Sequence, residues 1–265
     1  MHALSQPLAP LRLRIAGGAC TIIDERWSYP MHAPWWRIYC NREDGAWFSL
    51  AGKHVPMPAG QVMVVPPWCP AQTGCSGRVH HVFVHVTIEG QEAWLPAGLP
   101  PFVLPLSADL QVLVERCEDS TVAPWWPDAL ARVALAHTYE ALPTTVRKRL
   151  RDALDGPDDL APAISLAQAR LHLPLTVIEL AAACGISEDS LVRRFRRRLG
   201  CTPGVWLTRL RIGRAAELLE STDDPVESIA PQCGYADRAA FSRAFTRIMG
   251  LGPAAHRRQT RSWLP

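Results

Sequence analysis

The sequence predicts an α+β chain in two parts. The N-terminal half is β-rich and carries a helical hairpin; the C-terminal half is all helix. Three observations predict this. Short apolar runs separated by Gly and Pro fill the region up to residue 105, apolar residues after Asp158 recur at helical spacing, and one unit in that second stretch occurs twice. A length of 265 residues allows one large domain or two modest ones. A composition of 48% hydrophobic and 20% charged residues excludes a disordered chain. No run approaches the roughly 18 apolar residues that a membrane span needs. Met1 to Pro10 lacks the layout of a cleaved signal, so the expected compartment is the cytoplasm.

Strands come first. Trp36–Cys40, Ala46–Leu50, Gln61–Val65 and Val79–Ile88 are apolar runs, and Glu43-Asp44-Gly45, Ala51-Gly52-Lys53 and Pro58-Ala59-Gly60 separate them. That spacing suggests a sandwich or small barrel. Two amphipathic helices follow, over about Ala108–Glu118 and Pro127–Ala141. Pro124 separates them and Pro143 stops the second. Residues 144–157 are charged, end in Asp155-Gly156-Pro157 and read as a linker. The expected domains are therefore 1–143 and 158–258, with a tail at 259–265.

Charge divides along the same line. Residues 1–160 hold 13 Lys+Arg and 16 Asp+Glu, and residues 161–265 hold 15 and 9, so the halves carry −3 and +6. The imbalance suggests a polyanion-binding second half. The eight cysteines form no Cys-x-x-Cys pair and no zinc-finger spacing, and read as reduced, mostly buried thiols.

A helix over about Leu160–His172 opens the second half, and Pro174 breaks it. Unit one then runs from Val177 to Gly200 and unit two from Val226 to Gly250. Leu180-Ala181 matches Ile229-Ala230, Cys184-Gly185 matches Cys233-Gly234, Arg193 matches Arg243 and Phe195 matches Phe245. Each unit is a short apolar helix, a turn at Gly and an arginine-bearing helix, which is a helix-turn-helix layout. Ser187 and Asp237 are N-cap candidates for the second helices. Leu191, Phe195, Phe241 and Phe245 face inward. The opposite faces present Asp189, Ser190, Arg193 and Arg197 in unit one, and Arg238, Ala239, Ser242 and Arg243 in unit two. A helix of that width fits a DNA major groove, where arginine bonds guanine edges. The remaining arginines of the cluster at 193–198 are assigned to phosphates or solvent, and Arg257, Arg258 and Arg261 to the surface. A long helix containing Trp206, Leu210 and Gly213-Arg214 joins the units, and Asp224-Pro225 reads as cap and first position of unit two. Pro231, inside the first helix of unit two, predicts a short or bent helix.

Residues 158–258 resemble the DNA-binding domain of the AraC/XylS family of bacterial transcription regulators. Leu180-Ala181, Cys184-Gly185-Ile186-Ser187, Thr202-Pro203, Trp206-Leu207, Ile229-Ala230, Gly234-Tyr235, Phe241-Ser242-Arg243-Ala244-Phe245, Gly250 and Pro253 carry the likeness. The resemblance implies seven helices with recognition helices at about 187–199 and 237–249. It also implies double-stranded DNA as partner, a homodimer and contact with RNA polymerase.

Residues 30–90 resemble, less specifically, the cupin-like barrel that many family members use to bind an effector and dimerise. By resemblance to sugar-responsive members, Arg42, Trp47, His81, Phe83 and His85 would line the pocket. Eight of the ten tryptophans lie before residue 127, which suits stacking on a carbohydrate or simply filling a core and an interface. His81 and His85 share a strand face with Phe83 while His80 takes the other. Metal-binding cupins pair a His-x-His with a downstream Glu, and this chain has no such pair, so no metal, cofactor or catalytic residue is assigned. The reading is a DNA-binding transcription regulator responsive to a small molecule, not an enzyme. Two alternatives stay open: a constitutive DNA-binding regulator whose N-terminal half only dimerises, and a cupin-type metalloenzyme with an accessory helical domain.

Overall fold

A computed structural model describes residues 13–28, 30–88, 99–119, 125–148 and 159–261. The strands are β1 (Leu13–Ile23), β2 (Pro30–Met31), β3 (Trp36–Asn41), β4 (Ala46–Leu50), β5 (Lys53–Pro56), β6 (Gln61–Val65), β7 (Ala71–Cys75), β8 (Val79–Ile88) and β9 (Phe102–Pro105). They form two antiparallel sheets, one ordered β1-β8-β3-β6-β9 and the other β2-β7-β4-β5. The implied barrel is thus corrected: no ladder joins the two sheets among the described residues, and two open sheets face each other instead.

Period-two alternation decides what each face of the larger sheet meets. Val82, Val84 and Val86 of β8, with Ile38, Val62 and Val64, pack under α1 (Ala108–Glu118) and α2 (Trp126–Ala141). The intervening residues turn inward. Tyr39, Met63 and Phe83 meet Phe48 and Cys75 of the smaller sheet in a second core. Cross-strand register pairs Arg37 with His85, Tyr39 with Phe83 and Asn41 with His81 on that inner face.

The helical half holds α3 (Ala161–Ala169), α4 (Val177–Ala183), α5 (Glu188–Leu199), α6 (Pro203–Ser221), α7 (Val226–Gln232), α8 (Arg238–Met249) and α9 (Pro253–Arg261). Their ends follow from local chemistry. Thr176 and Glu179 close a capping box on α4. Ser187 Oγ accepts from Ser190 N at 3.3 Å, and Asp237 Oδ1 from Ala240 N at 2.7 Å, so both expected caps are present. Gly234 sits at φ +75°, and a Cβ there would lie 2.5 Å from the Leu171 carbonyl oxygen, which excludes any other residue without a shift. One expectation is corrected: Pro225, not Asp224, is the N-cap position of α7. Pro231 stands exposed near the end of α7, which has seven residues, as α4 does.

The two halves pack together, a contact that the linker reading did not foresee. Ala33 and Trp35, between β2 and β3, enter one core with Ile212, Ala216 and Leu219 of α6 and Phe241, Phe245 and Met249 of α8. Pro34 lies against Gly213, where an added Cβ would meet it at 3.1 Å, so the glycine allows the loop to approach the helix. His32 Nδ1 bonds the Ile248 carbonyl, Arg14 pairs with Glu217, and the Arg209 guanidinium lies 5.7 Å from the Trp68 ring centroid. Most of the linker, at 149–157, lies outside the described residues, as do Glu89 and Trp94. Among the described residues no helix is long and apolar enough to cross a membrane.

Candidate nucleic-acid interface and interior cavity

Each candidate recognition helix buries one face and presents the other. In α5, Leu191, Phe195 and Leu199 are buried, while Asp189, Arg193 and Arg197 are exposed and Ser190 is half-buried. In α8, Phe241, Ala244, Phe245 and Met249 are buried, while Arg238, Ala239 and Arg243 are exposed and Ser242 is half-buried. The eight residues expected from the sequence thus lie on outward helix faces. Within α5, Ser187 Oγ donates to Ser190 Oγ at 3.0 Å, and Arg193 Nη2 donates to the same oxygen at 3.1 Å, which fixes the guanidinium along the helix. In α8, Arg238 pairs with Glu227 of α7. The α6 helix spans 19 residues, about 28 Å at 1.5 Å per residue, and holds the two units apart as one rod.

Asp159 corrects part of the arginine assignment. Its carboxylate takes Arg198 at 2.6 Å and Arg194 at 3.1 Å, with Arg197 at 3.9 Å. The Arg198 side chain is only 16% exposed. Arg194 and Arg198 therefore brace α5 against the start of α3 rather than wait for phosphates. Arg197, at 74% exposure, keeps an outward head. Arg257 is corrected likewise: it donates to the Leu219 and Asp224 carbonyls at 3.2 and 2.5 Å and clamps the end of α6.

A cavity of about 120 Å³ lies where the inner sheet face meets the helical half. Thr21, Arg37, Tyr39, His81, Phe83 and His85 line it from the strands. Glu220, Met249, Leu251, His256 and Thr260 close it from the helices. His81 Nδ1 bonds Asn41 Oδ1 at 2.7 Å, and burial holds its pKa down to about 3. Burial, then the charge of Arg37, pushes His85 well below the usual histidine value. Burial raises the Glu220 carboxyl, against a 3.1 Å bond from His256 Nε2. Of the five expected effector residues, the structure brings His81, Phe83 and His85 to this cavity. Arg42 and Trp47 are corrected. Arg42 is held on the surface by Glu118 of α1. Trp47 lies in the smaller sheet with its ring 4.5 Å from that of His54. The sequence reading missed Arg37, whose burial beside Trp35 has no signature in a single chain. None of the eight cysteines is in a disulfide, and burial lifts the Cys233 thiol to about 12. Among the described residues no group of three or more His, Cys, Asp or Glu is placed to hold a metal.

Two matched helix-turn-helix units on one rod, joined to a double-sheet half, define a class of protein, and comparison with known proteins agrees. A family described as a helix-turn-helix domain matches residues 180–259. The chain is 36% identical over 112 residues to the MmsAB operon regulatory protein of Pseudomonas aeruginosa, covering 42% of this chain and 36% of that one. It is 39% identical over 175 residues to an AraC-like transcription regulator of Streptomyces antibioticus, covering 62% and 55%. The chain thus spans about a third to a half of these curated relatives. The paired C-terminal units are thus similar to the helix-turn-helix region of AraC-like transcription regulators. The crystal structure of ToxT from Vibrio cholerae with a bound unsaturated fatty acid superposes with a TM-score of 0.61 at 13% identity, over 95% of this chain and 96% of that one. At that identity the likeness shows the fold alone.

Proposed function

We propose that the protein is a sequence-specific DNA-binding transcription regulator whose α5 and α8 enter two successive major grooves, and whose DNA affinity answers to a small molecule in the interior cavity. The observation that carries the reading is the double lining of that cavity. Strand residues His85 and Phe83 and helix residues Glu220, Met249 and His256 share one space, so an occupant touches both halves at once. A ligand shifts an equilibrium only through differential affinity for two states, and a site built from both halves supplies it. The ligand-bound ToxT structure, of the same fold, supports an effector role. Arg193 and Arg243 are the base-reading candidates, with Asp189, Ser190, Arg197, Arg238, Ala239 and Ser242 around them. Self-association through the N-terminal half and action in the cytoplasm belong to the same proposal.

Selection of duplexes from a random pool by the full chain tests it. The enriched sites should hold two conserved blocks about 10–10.5 base pairs apart, centre to centre. A pool that stays random would refute sequence-specific binding.

A further inference from the structure

We propose that the cavity takes a compact monoanion, a carboxylate of about the size of one ring, anchored on the Arg37 guanidinium. The inference rests on the effector reading above and names the chemistry of the ligand.

Arg37 is 4% exposed and lines the cavity, yet its Nη1 has no hydrogen-bond partner among the described residues. Its guanidinium carbon lies 5.9 Å from the Trp35 ring centroid. Glu220, the acidic residue of the lining, is bonded by His256 at 3.1 Å and also lies within electrostatic reach of Arg37. Directly across the strand pair, His85 also carries a buried Nε2 without a partner. Burial keeps this imidazole neutral, so one ring nitrogen retains a proton to donate. A buried guanidinium donor without a partner is costly, and a carboxylate is the group that best matches its fork. A neutral sugar would bond the same donors without the gain of a charge-assisted pair. Trp27, Tyr39, Phe83, Met249 and Leu251 form an apolar and aromatic part of the wall beside the hydroxyls of Thr21, Ser221 and Thr260, which calls for an apolar body behind the acid group. A cavity of about 150 Å³ admits benzene, so a volume of about 120 Å³ suits a single ring or a short chain.

The test is calorimetric titration of the full chain with cyclohexanecarboxylate, benzoate and hexanoate, each beside its uncharged primary amide. At least one acid should bind, with its amide weaker by about tenfold or more, since a hydrogen bond to a charged group contributes at least that factor. Arg37→Met should lose the acid and keep the apo melting temperature or raise it, because the substitution removes a buried donor that lacks a partner. A residue with a structural role only would lower it. Should Arg37→Met fail to fold, Arg37→Lys retains the charge and should keep the preference for acid over amide. Failure of all three acids to bind overturns the proposal, as does equal binding of acid and amide, or an Arg37→Met protein that binds acid like the parent. The effector reading is scored separately, by DNA affinity. Acid that binds and leaves DNA affinity unchanged supports the anion site and defeats the effector role. A neutral compound that alters DNA affinity, with no acid bound, defeats the anion and keeps the role.

Discussion

Units one and two share a helix plan and differ in what they lean on. The core of unit one, with Leu180, Leu191, Phe195 and Trp206, draws only on residues from Leu160 onward among those described. The core of unit two takes in Ala33 and Trp35 from the β half, with Ala16 and Trp68 packed beside it. Unit two also ends on the N-terminal half: the Ile248 carbonyl meets His32, Gly250 abuts Pro30, and Met249 and Leu251 border the cavity. One repeat is therefore self-supporting, while the other is part of the machinery around the cavity. Sequence duplication kept the helix-turn-helix in both copies, and tertiary contact made them unequal. On this account, a ligand acts on α8 first and on α5 only through the α6 rod.

Four predictions test that asymmetry, in order of size. Trp35→Ala removes a fully buried indole from the shared core and should cost about 3–5 kcal/mol. Urea denaturation followed by amide exchange should show the loss in α7, α8 and the strands, with α4 and α5 still protected; equal loss in both units would break the comparison.

Acid is the second lever. Unfolded histidine takes its proton near pH 6.5, whereas His81 in the folded chain resists until about 3. Over that window the unfolded state binds more protons, so stability falls as pH drops, by about 2 kcal/mol at pH 5 for this residue. His85 acts in the same direction. Glu220, raised by burial, acts in the opposite one, since its folded form gains the proton more readily. Denaturation at pH 7 and pH 5 should show the net loss, and His81→Gln should remove its part.

Third, Arg193→Ala and Arg243→Ala should each cost about 1–3 kcal/mol on the selected duplex and relax preference in one block only. If either change relaxes both blocks, or neither, the one-helix-per-groove assignment falls. Fourth and smallest, Arg198→Ala should lower stability by about 1 kcal/mol, as expected for a partly buried ion pair. The salt slope of DNA binding should stay unchanged, because Asp159 already holds this arginine. A slope reduced by about one would return Arg198 to the phosphates.

What was legible in the sequence was local. The bounds of α1, α5 and α8 follow from apolar spacing, Ser187, Asp237 and the left-handed Gly200 and Gly250, all within one turn of the residues they affect. Alternation on β8 placed His81, Phe83 and His85 on one face without saying that this face meets a cavity. Arg42 and Trp47 fall outside the cavity lining, because period two gives a face and not the sheet or helix opposite it. Arg194, Arg198 and Arg257 looked like free cations, since their partners Asp159, Leu219 and Asp224 stand more than thirty residues away along the chain. The docking of Pro34 and Trp35 on α6 joins positions far apart in sequence, and only Gly213, a glycine inside a helix, hinted at a close approach.

Native-state hydrogen exchange of the unmodified chain, in increasing denaturant below the unfolding transition, tests the asymmetry most directly. The account predicts that amides of β3, the end of α6, and α7 and α8 open together as one cooperative unit, with α4 and α5 opening separately at a free energy of their own. Opening of α7 and α8 together with α4 and α5, while β3 stays closed, would contradict it.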